Sequence, residues 1–168
     1  VTSGINMPPW DNSAMDGYAL PSADATTHRG RLRVAQRIPA GVRGQPLAAG
    51  SAARIFTGAP LPEGADTVVI QELCEQEGDV VWVPGDTPAG ANIRRAGEDI
   101  RAGATIMTPG TRLQPQHLGL AASVGVDELA VFRRLRVAVF SSGDELVMPG
   151  QSLGPGQIYN SNHYTLSG

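Results

Sequence analysis

The segment DNSAMDGYA, residues 11–19, is the most informative stretch of the chain. It places two carboxylates, Asp11 and Asp16, among small and polar residues. Asn, Asp and Ser side chains compete for their own backbone, and glycine adds entropy, so the segment is a poor helix former. It also lacks the alternating β-branched pattern of a strand. The pattern predicts a polar loop, which is usually a turn and less often a binding site carried by a rigid scaffold.

Composition limits the class of protein. The 168 residues suit one ordinary domain or two small ones, and the start of the chain has no secretory signal pattern. A net charge of −3 argues against a general nucleic-acid binder. No apolar run approaches the ~20 residues of a membrane span. The single cysteine, Cys74, excludes an internal disulfide and a cysteine-rich zinc site, and a free thiol fits a reducing cytoplasm.

The first hundred residues read as a β domain. The chain has 21 glycines and 13 prolines but only 5% aromatic residues, which predicts short strands joined by turns. Residues 1–30 are predicted to be irregular. Alternation or β-branched content predicts strands at 31–36, 53–56, 67–71 and 80–83, and shorter ones at 92–95 and 105–107. Residues 75–78 are predicted to connect the third and fourth of these strands as a hairpin.

The pattern changes near Gln114. Pro115, the apolar spacing of residues 118–124 and Gly125 predict a helix with a left-handed residue after its end. Strands are predicted at 129–132 and at 137–140, and the second is apolar enough to be buried on both faces of a parallel sheet. It runs into the polar loop 141–145, at the sheet edge where α/β proteins bind ligands. Residues 160–162 are predicted to cap a helix, and the third domain is expected to be cut off.

Four motifs carry a family resemblance. They are DNSAMDGYA at 11–19, TGAP at 57–60, RRAGEDI at 94–100 and SSGDEL at 141–146. In this order and spacing, the chain resembles the molybdopterin molybdenumtransferase family, which comprises the bacterial MoeA proteins and the E domain of gephyrin. The resemblance covers residues from about 9 to about 160.

The resemblance implies an α+β fold that is mainly β. A β-rich domain, residues 3–103, would be inserted in a small elongated linking domain, residues 1–2 and 104–134. Residues 135–168 would be the truncated start of an α/β molybdopterin-binding domain. The rest of that domain, the C-terminal β-barrel and the helical segments that precede the first motif in the family are expected to be missing, so the chain alone should be inactive.

The resemblance also implies a reaction, the insertion of molybdate into the dithiolene of adenylated molybdopterin with release of AMP. Mg²⁺ would be required, with adenylated molybdopterin and molybdate as substrates. The family implies a cytoplasmic homodimer whose active cleft is shared between subunits, and a possible molybdopterin adenylyltransferase partner. Neither nucleic acid nor membrane is expected as a partner.

Site residues follow from the matched motifs. The resemblance implies catalytic roles for Asp16, Thr57 and Asp99 and a metal-binding role for Glu145. It implies cofactor or substrate contacts for the polar residues of the first and last motifs, Asn12, Ser13, Ser141, Ser142 and Gly143. Asp11 would be a structural acceptor, and Arg94 and Arg95 possible anion contacts.

Each of these residues also has a plainer interpretation. Asp16 and Gly17 form a standard turn pair, and Thr57 could simply end a strand. Asp99 with its neighbouring arginines could be a solvated group of ion pairs worth about 0–1 kcal/mol. Glu145 could belong to an ordinary turn. Taken without the family, these readings remain open.

Two other classes of function remain open. One is a non-catalytic scaffold of the gephyrin type, which binds a peptide segment. The other is a dimerisation module formed by residues 1–134. The clustered carboxylates favour the enzyme, because a peptide-binding scaffold does not need them.

Overall fold

A computed structural model describes all 168 residues, which form two compact units, Val1–Glu128 and Leu129–Gly168. None of its helices combines the length and apolar character that crossing a membrane requires. The helices are α1 (Ser22–Thr27), α2 (Pro115–Ser123) and α3 (Ser161–Ser167). The strands are β1 (Asn12–Ser13), β2 (Gly17–Leu20), β3 (Arg31–Ile38), β4 (Ser51–Ile55), β5 (Thr67–Ile70), β6 (Glu75–Glu77), β7 (Val80–Trp82), β8 (Ile93–Arg94), β9 (Leu146–Val147) and β10 (Ile158–Tyr159).

A six-stranded sheet forms the body of the first unit, in the order β5-β2-β4-β3-β7-β6. Neighbouring strands of this sheet are antiparallel, except for β3 and β4, which run parallel. Successive side chains of a strand point to opposite faces, so the sheet supports one apolar cluster on each face. One cluster contains Tyr18, Leu20 and Leu32, and the other contains Ala19 and Ile55. The mainly β architecture inferred from the motifs is therefore confirmed for this unit.

The predicted strands at 31–36, 53–56, 67–71 and 80–83 are confirmed as β3, β4, β5 and β7, and part of 92–95 is β8. The prediction for 105–107 was wrong, since only an isolated bridge joins Thr105 to Thr2. The N-terminal residues meet this segment, because the Val1 amino group donates to Met107 O at 2.7 Å and Ser3 N to Ala104 O at 2.9 Å. The two ends of the segment between them are thereby held side by side.

The prediction of irregular structure over residues 1–30 was wrong, because it contains β1, β2 and α1. The last three residues of DNSAMDGYA lie in β2, where all four residues are buried between β4 and β5. Gly17 is there for space: a Cβ on it would collide with the Val69 carbonyl oxygen of β5. A central strand position thus overrides the weak local strand preference of this sequence.

The predicted hairpin at 75–78 was also wrong. Glu75–Glu77 is itself a strand, β6, which pairs antiparallel with β7, while β5 pairs with β2. The turn lies at Gly78, whose φ of +58° favours glycine. The sequence showed a turn signal at this place, but it did not show which strands the turn connects.

The predicted helix after Gln114 is confirmed as α2. Pro115 is its first residue, where a missing N–H costs nothing, and Gly125 follows the helix end with a φ of +80°. The Gln114 N–H donates to His117 Nδ1 at 3.0 Å, which satisfies one of the donors at the helix start.

In the second unit, the predicted cap is confirmed, since Asn160 Oδ1 accepts from His163 N at 3.1 Å and begins α3. The only strands are β9 and β10, which pair in parallel. The strands predicted at 129–132 and 137–140 were wrong for this chain. Phe132 and Phe140 are 93% and 90% exposed, and no other strand of the chain pairs with these segments. A strand needs a hydrogen-bonded neighbour, and these residues have none here.

The single division of the chain into compact units falls after Glu128. The domain boundaries inferred after residues 103 and 134 remain predictions.

Candidate active site

Asp16 and Thr57 meet at the ends of two paired strands. Gly17, the first residue of β2, lies opposite Ile55, the last residue of β4, so the residues flanking these strand ends are neighbours. Asp16 Oδ1 accepts from the Thr57 backbone N–H at 2.8 Å and from its hydroxyl at 2.7 Å. The backbone bond and then the hydroxyl bond hold the pKa of Asp16 below its usual value. The carboxylate is therefore ionised near neutral pH and fixed in orientation.

Asp11 ties the first motif to the third. Strands β1 and β8 pair antiparallel, which brings Asp11 beside the turn at Ala96. Asp11 Oδ1 accepts from Ala96 N at 2.8 Å and Oδ2 from Arg95 Nη1 at 2.6 Å. The Ala96 bond, aided by Arg95 and opposed by partial burial, lowers the pKa of Asp11. The expectation that Asp11 is a structural acceptor is confirmed.

Asp99 lies in a group of ion pairs. Arg94 Nη2 donates to both carboxylate oxygens of Asp99 at 2.6 Å, and Arg94 Nε lies 3.5 Å from Glu98 Oε1. The hydrogen bond to Asp99 raises the pKa of Arg94. Since Arg94 and Arg95 both have carboxylate partners, neither is a free cation for an additional anion. Asp99 is exposed to solvent. A catalytic role for Asp99, in addition to its ion pair with Arg94, stays a prediction.

Asn12 and Ser13 form β1 at the centre of these motifs. Ser13 is 1% exposed, and its hydroxyl donates to Met15 O at 2.5 Å. Its backbone bonds to Gly58 and Ala59 fasten the TGAP turn to the first motif. Asn12 Oδ1 is buried without a hydrogen-bond partner. The structure thus assigns Ser13 a local structural role, and cofactor contact by either residue stays a prediction.

The first unit therefore brings three of the four motifs together. Asp16, Thr57, Asp99 and the β1 residues come from three separate parts of the sequence, which the pairing of β1 with β8 and of β2 with β4 joins. The fourth motif lies in the second unit.

The loop Ser141–Glu145 of the second unit is exposed. A Cβ on Gly143 would lie only 2.5 and 2.7 Å from the Glu145 carboxylate oxygens, so glycine leaves room for that carboxylate to lie over the loop. Glu145 O accepts from Ile158 N at 2.7 Å, which fastens the loop to β10. Ser141 Oγ lies 3.5 Å from Asn160 Oδ1, and Ser142 is exposed.

The donor set of this loop fits a hard cation only in part. No group of three or more His, Cys, Asp or Glu side chains converges anywhere in the chain, so it contains no complete metal cage. Mg²⁺ commonly takes one or two carboxylates and completes its shell with water and substrate phosphate. Glu145, with its oxygens free over Gly143, is compatible with that mode.

Comparison with known proteins identifies the family. The family model described as the MoeA N-terminal region (domain I and II) matches residues 1–125. The chain belongs to the MoeA family. The molybdopterin molybdenumtransferase 2 of Mycobacterium tuberculosis is 43% identical over 175 residues, which include 99% of this chain and 42% of that protein. The molybdopterin molybdenumtransferase of Nostoc sp. is 41% identical over 172 residues, with 99% and 39% covered.

Solved structures agree with the fold. A molybdopterin biosynthesis MoeA protein from Pyrococcus horikoshii superposes with a TM-score of 0.85 at 36% identity, covering 99% of this chain and 44% of that chain. A second structure of a MoeA protein from this organism gives a TM-score of 0.88 at 29% identity, with 99% and 46% covered. The chain thus spans less than half the length of these relatives.

One charged side chain near Asp16, that of Arg54, lies outside the four motifs. Arg54, the residue opposite Tyr18, lies over the rings of both Tyr18 and Phe56. The sequence did contain a signal, an arginine inside the otherwise apolar stretch 52–56. Burying a charged side chain costs free energy unless the charge has a hydrogen-bonding or ionic partner.

Proposed function

We propose that this chain is the N-terminal part of an enzyme that inserts molybdate into the dithiolene of adenylated molybdopterin and releases AMP. The observation that carries the proposal is the contact between Asp16 and Thr57. Thr57, 41 positions along the chain from Asp16, holds the ionised Asp16 carboxylate with two hydrogen bonds at a strand end. Family membership supplies the reaction class, since relatives that match nearly the whole chain are named molybdopterin molybdenumtransferases.

The roles follow from the chemistry of each group. Asp16 is ionised and oriented, so it can accept a proton or position a substrate donor, and Thr57 holds its geometry. Asp99 provides a second carboxylate, which contacts Arg94 of β8, the strand paired with β1 of the first motif. Asn12, whose Oδ1 is buried without a partner, and Ser13 would supply the cofactor contacts of the first motif.

The loop of the second unit would hold the phosphate part of the substrate. Ser141 and Ser142 would offer hydroxyls to phosphate, and Gly143 would offer its backbone N–H. Glu145 would bind Mg²⁺ together with substrate phosphate oxygens. When bound, the ion neutralises phosphate charge and polarises the phosphoanhydride.

The proposal includes an isologous homodimer with two sites shared between subunits, in a cytoplasmic setting, and a molybdopterin adenylyltransferase as supplier of the adenylated substrate. A gephyrin-like scaffold would not require Asp16 to be fixed by Thr57, and no separate observation favours it.

The test is molybdate insertion by the whole natural protein that contains these residues, supplied with adenylated molybdopterin, Mg²⁺ and molybdate. Activity that falls by about a hundredfold or more in Asp16→Asn, while Asp24→Asn stays near the unchanged protein, supports the proposal. Asp24 is the matched control, because its carboxylate also accepts a backbone N–H, that of Gly50, but lies outside the motifs. An inactive whole protein that still binds partner peptides contradicts the enzyme and favours the scaffold.

A further inference from the structure

Two arginines face each other on neighbouring strands without any carboxylate between them. Arg37 of β3 and Arg54 of β4 are directly opposite in the parallel register. Neither forms an ion pair within 4.0 Å, whereas Arg94 and Arg95 do. Like charges opposite each other on a sheet are destabilising, so a fold that keeps such a pair gains when an anion lies between them.

Both cations lie over the same aromatic ring, that of Phe56. The guanidinium carbons of Arg37 and Arg54 lie 4.6 and 4.7 Å from the centre of the Phe56 ring. The Arg54 guanidinium also lies 5.2 Å from the centre of the Tyr18 ring. Ring faces carry partial negative charge, so these contacts orient both cations without neutralising them.

Arg54 is held in one position by neutral groups. Its Nη1 donates to Gly17 O at 2.9 Å, and its Nη2 donates to Gln71 Oε1. Gln71 Nε2 in turn donates to Glu72 Oε1 at 3.2 Å. The side-chain amide of Gln71 therefore links Arg54 to Glu72, and these hydrogen bonds include no direct contact between the two charged groups. A fixed planar guanidinium with unused donors suits an oxyanion.

The two arginines and Phe56 lie next to the proposed catalytic pair, Asp16 and Thr57. Gly17, which accepts from Arg54, directly follows Asp16, and Phe56 directly precedes Thr57. Asp16 Oδ1 accepts its two hydrogen bonds from Thr57, and Arg54 acts on that carboxylate only through its charge, as a minor contribution to the lowered pKa of Asp16. No N–H of Arg54 is therefore used by Asp16.

We propose that Arg37, Phe56 and Arg54 form a subsite for a tetrahedral oxyanion beside Asp16 and Thr57. Two sources share this chemistry, the phosphate monoester of an organic ligand and a free inorganic oxyanion. The site itself rests on the geometry of the cluster, and only its assignment to the enzyme's substrates rests on the proposed function.

Calorimetric titration of this 168-residue chain with AMP and with inorganic phosphate at low salt tests the subsite. Arg54→Gln is expected to weaken binding about tenfold or more, because a charge-assisted fork is lost. The matched control is Arg31→Gln, which removes the same charge from β3, the strand of Arg37, about 20 Å along that strand from Arg37, and should change affinity less than about twofold. Tighter binding of AMP assigns the site to an organic phosphate, and equal affinities assign it to a free oxyanion.

A second variant, Arg37→Gln, separates loss of the subsite from loss of folding, which replacement of the partly buried Arg54 could cause. Arg37 is exposed, so its replacement leaves the core intact and should still weaken binding about threefold or more. The subsite is refuted if the unchanged chain binds neither ligand, or if Arg31→Gln weakens binding as much as Arg54→Gln. Molybdate insertion by the whole protein is measured separately, so retained insertion without anion binding removes the subsite and leaves the proposed function standing.

Discussion

Gly17 of strand β2 lies opposite Ile70 of β5, and its replacement by alanine tests why glycine occupies this position. A Cβ on Gly17 would lie 2.9 Å from the carbonyl carbon of Val69 and 3.2 Å from Cα of Ile70, and would collide with the Val69 oxygen. Ordinary carbon contacts begin near about 3.5 Å, so β2 and β5 must separate. Because every atom in the way belongs to the backbone, no side chain can rotate to relieve the clash.

The expected loss of stability follows from this geometry. Overpacking costs about 1–3 kcal/mol, and weakening one or two hydrogen bonds of the four-pair ladder between β2 and β5 adds about 1 kcal/mol each. The lower chain entropy of alanine in the unfolded state returns about 0.4–1 kcal/mol. Gly17→Ala should therefore lower the free energy of unfolding by about 1–4.5 kcal/mol. The melting temperature should fall by roughly 3–14 °C for a chain of this size.

Urea denaturation of the 168-residue chain measures the change as a shift of the midpoint at constant slope. Gly119→Ala is the matched control, since Gly119 lies inside α2 and a Cβ there meets nothing within 4 Å. That substitution should stabilise by about 0.8–1 kcal/mol. If Gly17→Ala costs less than about 1 kcal/mol, or shifts the midpoint in the same direction as Gly119→Ala, the close approach of β2 and β5 is refuted.

Three further predictions concern titratable groups. In Thr57→Val, the pKa of Asp16 should rise yet stay below its usual value, because the hydrogen bond from the Thr57 backbone, which contributes most, is kept. Thr57→Ser keeps the hydroxyl and should leave the pKa unchanged. Carboxyl NMR titration measures both, and a valine variant that titrates like the unchanged chain would contradict the role of the hydroxyl. The lowered pKa of Asp11 contributes stability that is present above its unfolded pKa and is lost as pH falls through the lower folded value, so stability should drop below about pH 4. Asp11→Asn should flatten part of that drop in urea titrations at pH 5 and pH 3, and an unchanged pH slope would contradict this account. Burial raises the pKa of the Cys74 thiol to about 11. At pH 8 the thiol should react with iodoacetamide about two-hundredfold more slowly than a free cysteine, and a rate within tenfold of free cysteine would show that the site is open.

Local signals predicted the elements that need no distant partner. Pro115 and Gly125 bound α2, and Asn160 begins α3, because each acts on backbone groups within a few residues of itself. Alternation over residues 31–36 predicted β3, in which Leu32 is buried and Val34 is partly buried between the exposed side chains of neighbouring residues.

Elements that depend on distant partners were not predictable in this way. Strand β2 has a loop-like sequence and becomes a strand only because β4 and β5 enclose it. Residues 137–140 have a strand-like sequence and remain irregular because no strand of this chain pairs with them. In both cases the pairing partner outweighs the intrinsic preference.

For the candidate site, the motif residues alone determined the family, the carboxylates worth examining and the chemistry they could support. Tertiary structure decided that Thr57 holds Asp16, that Arg94 and Arg95 already have carboxylate partners, and that Arg37 and Arg54 do not. The reason is physical. Residue type determines which charges and hydrogen bonds are possible, whereas strand register determines which of those groups come within reach of each other.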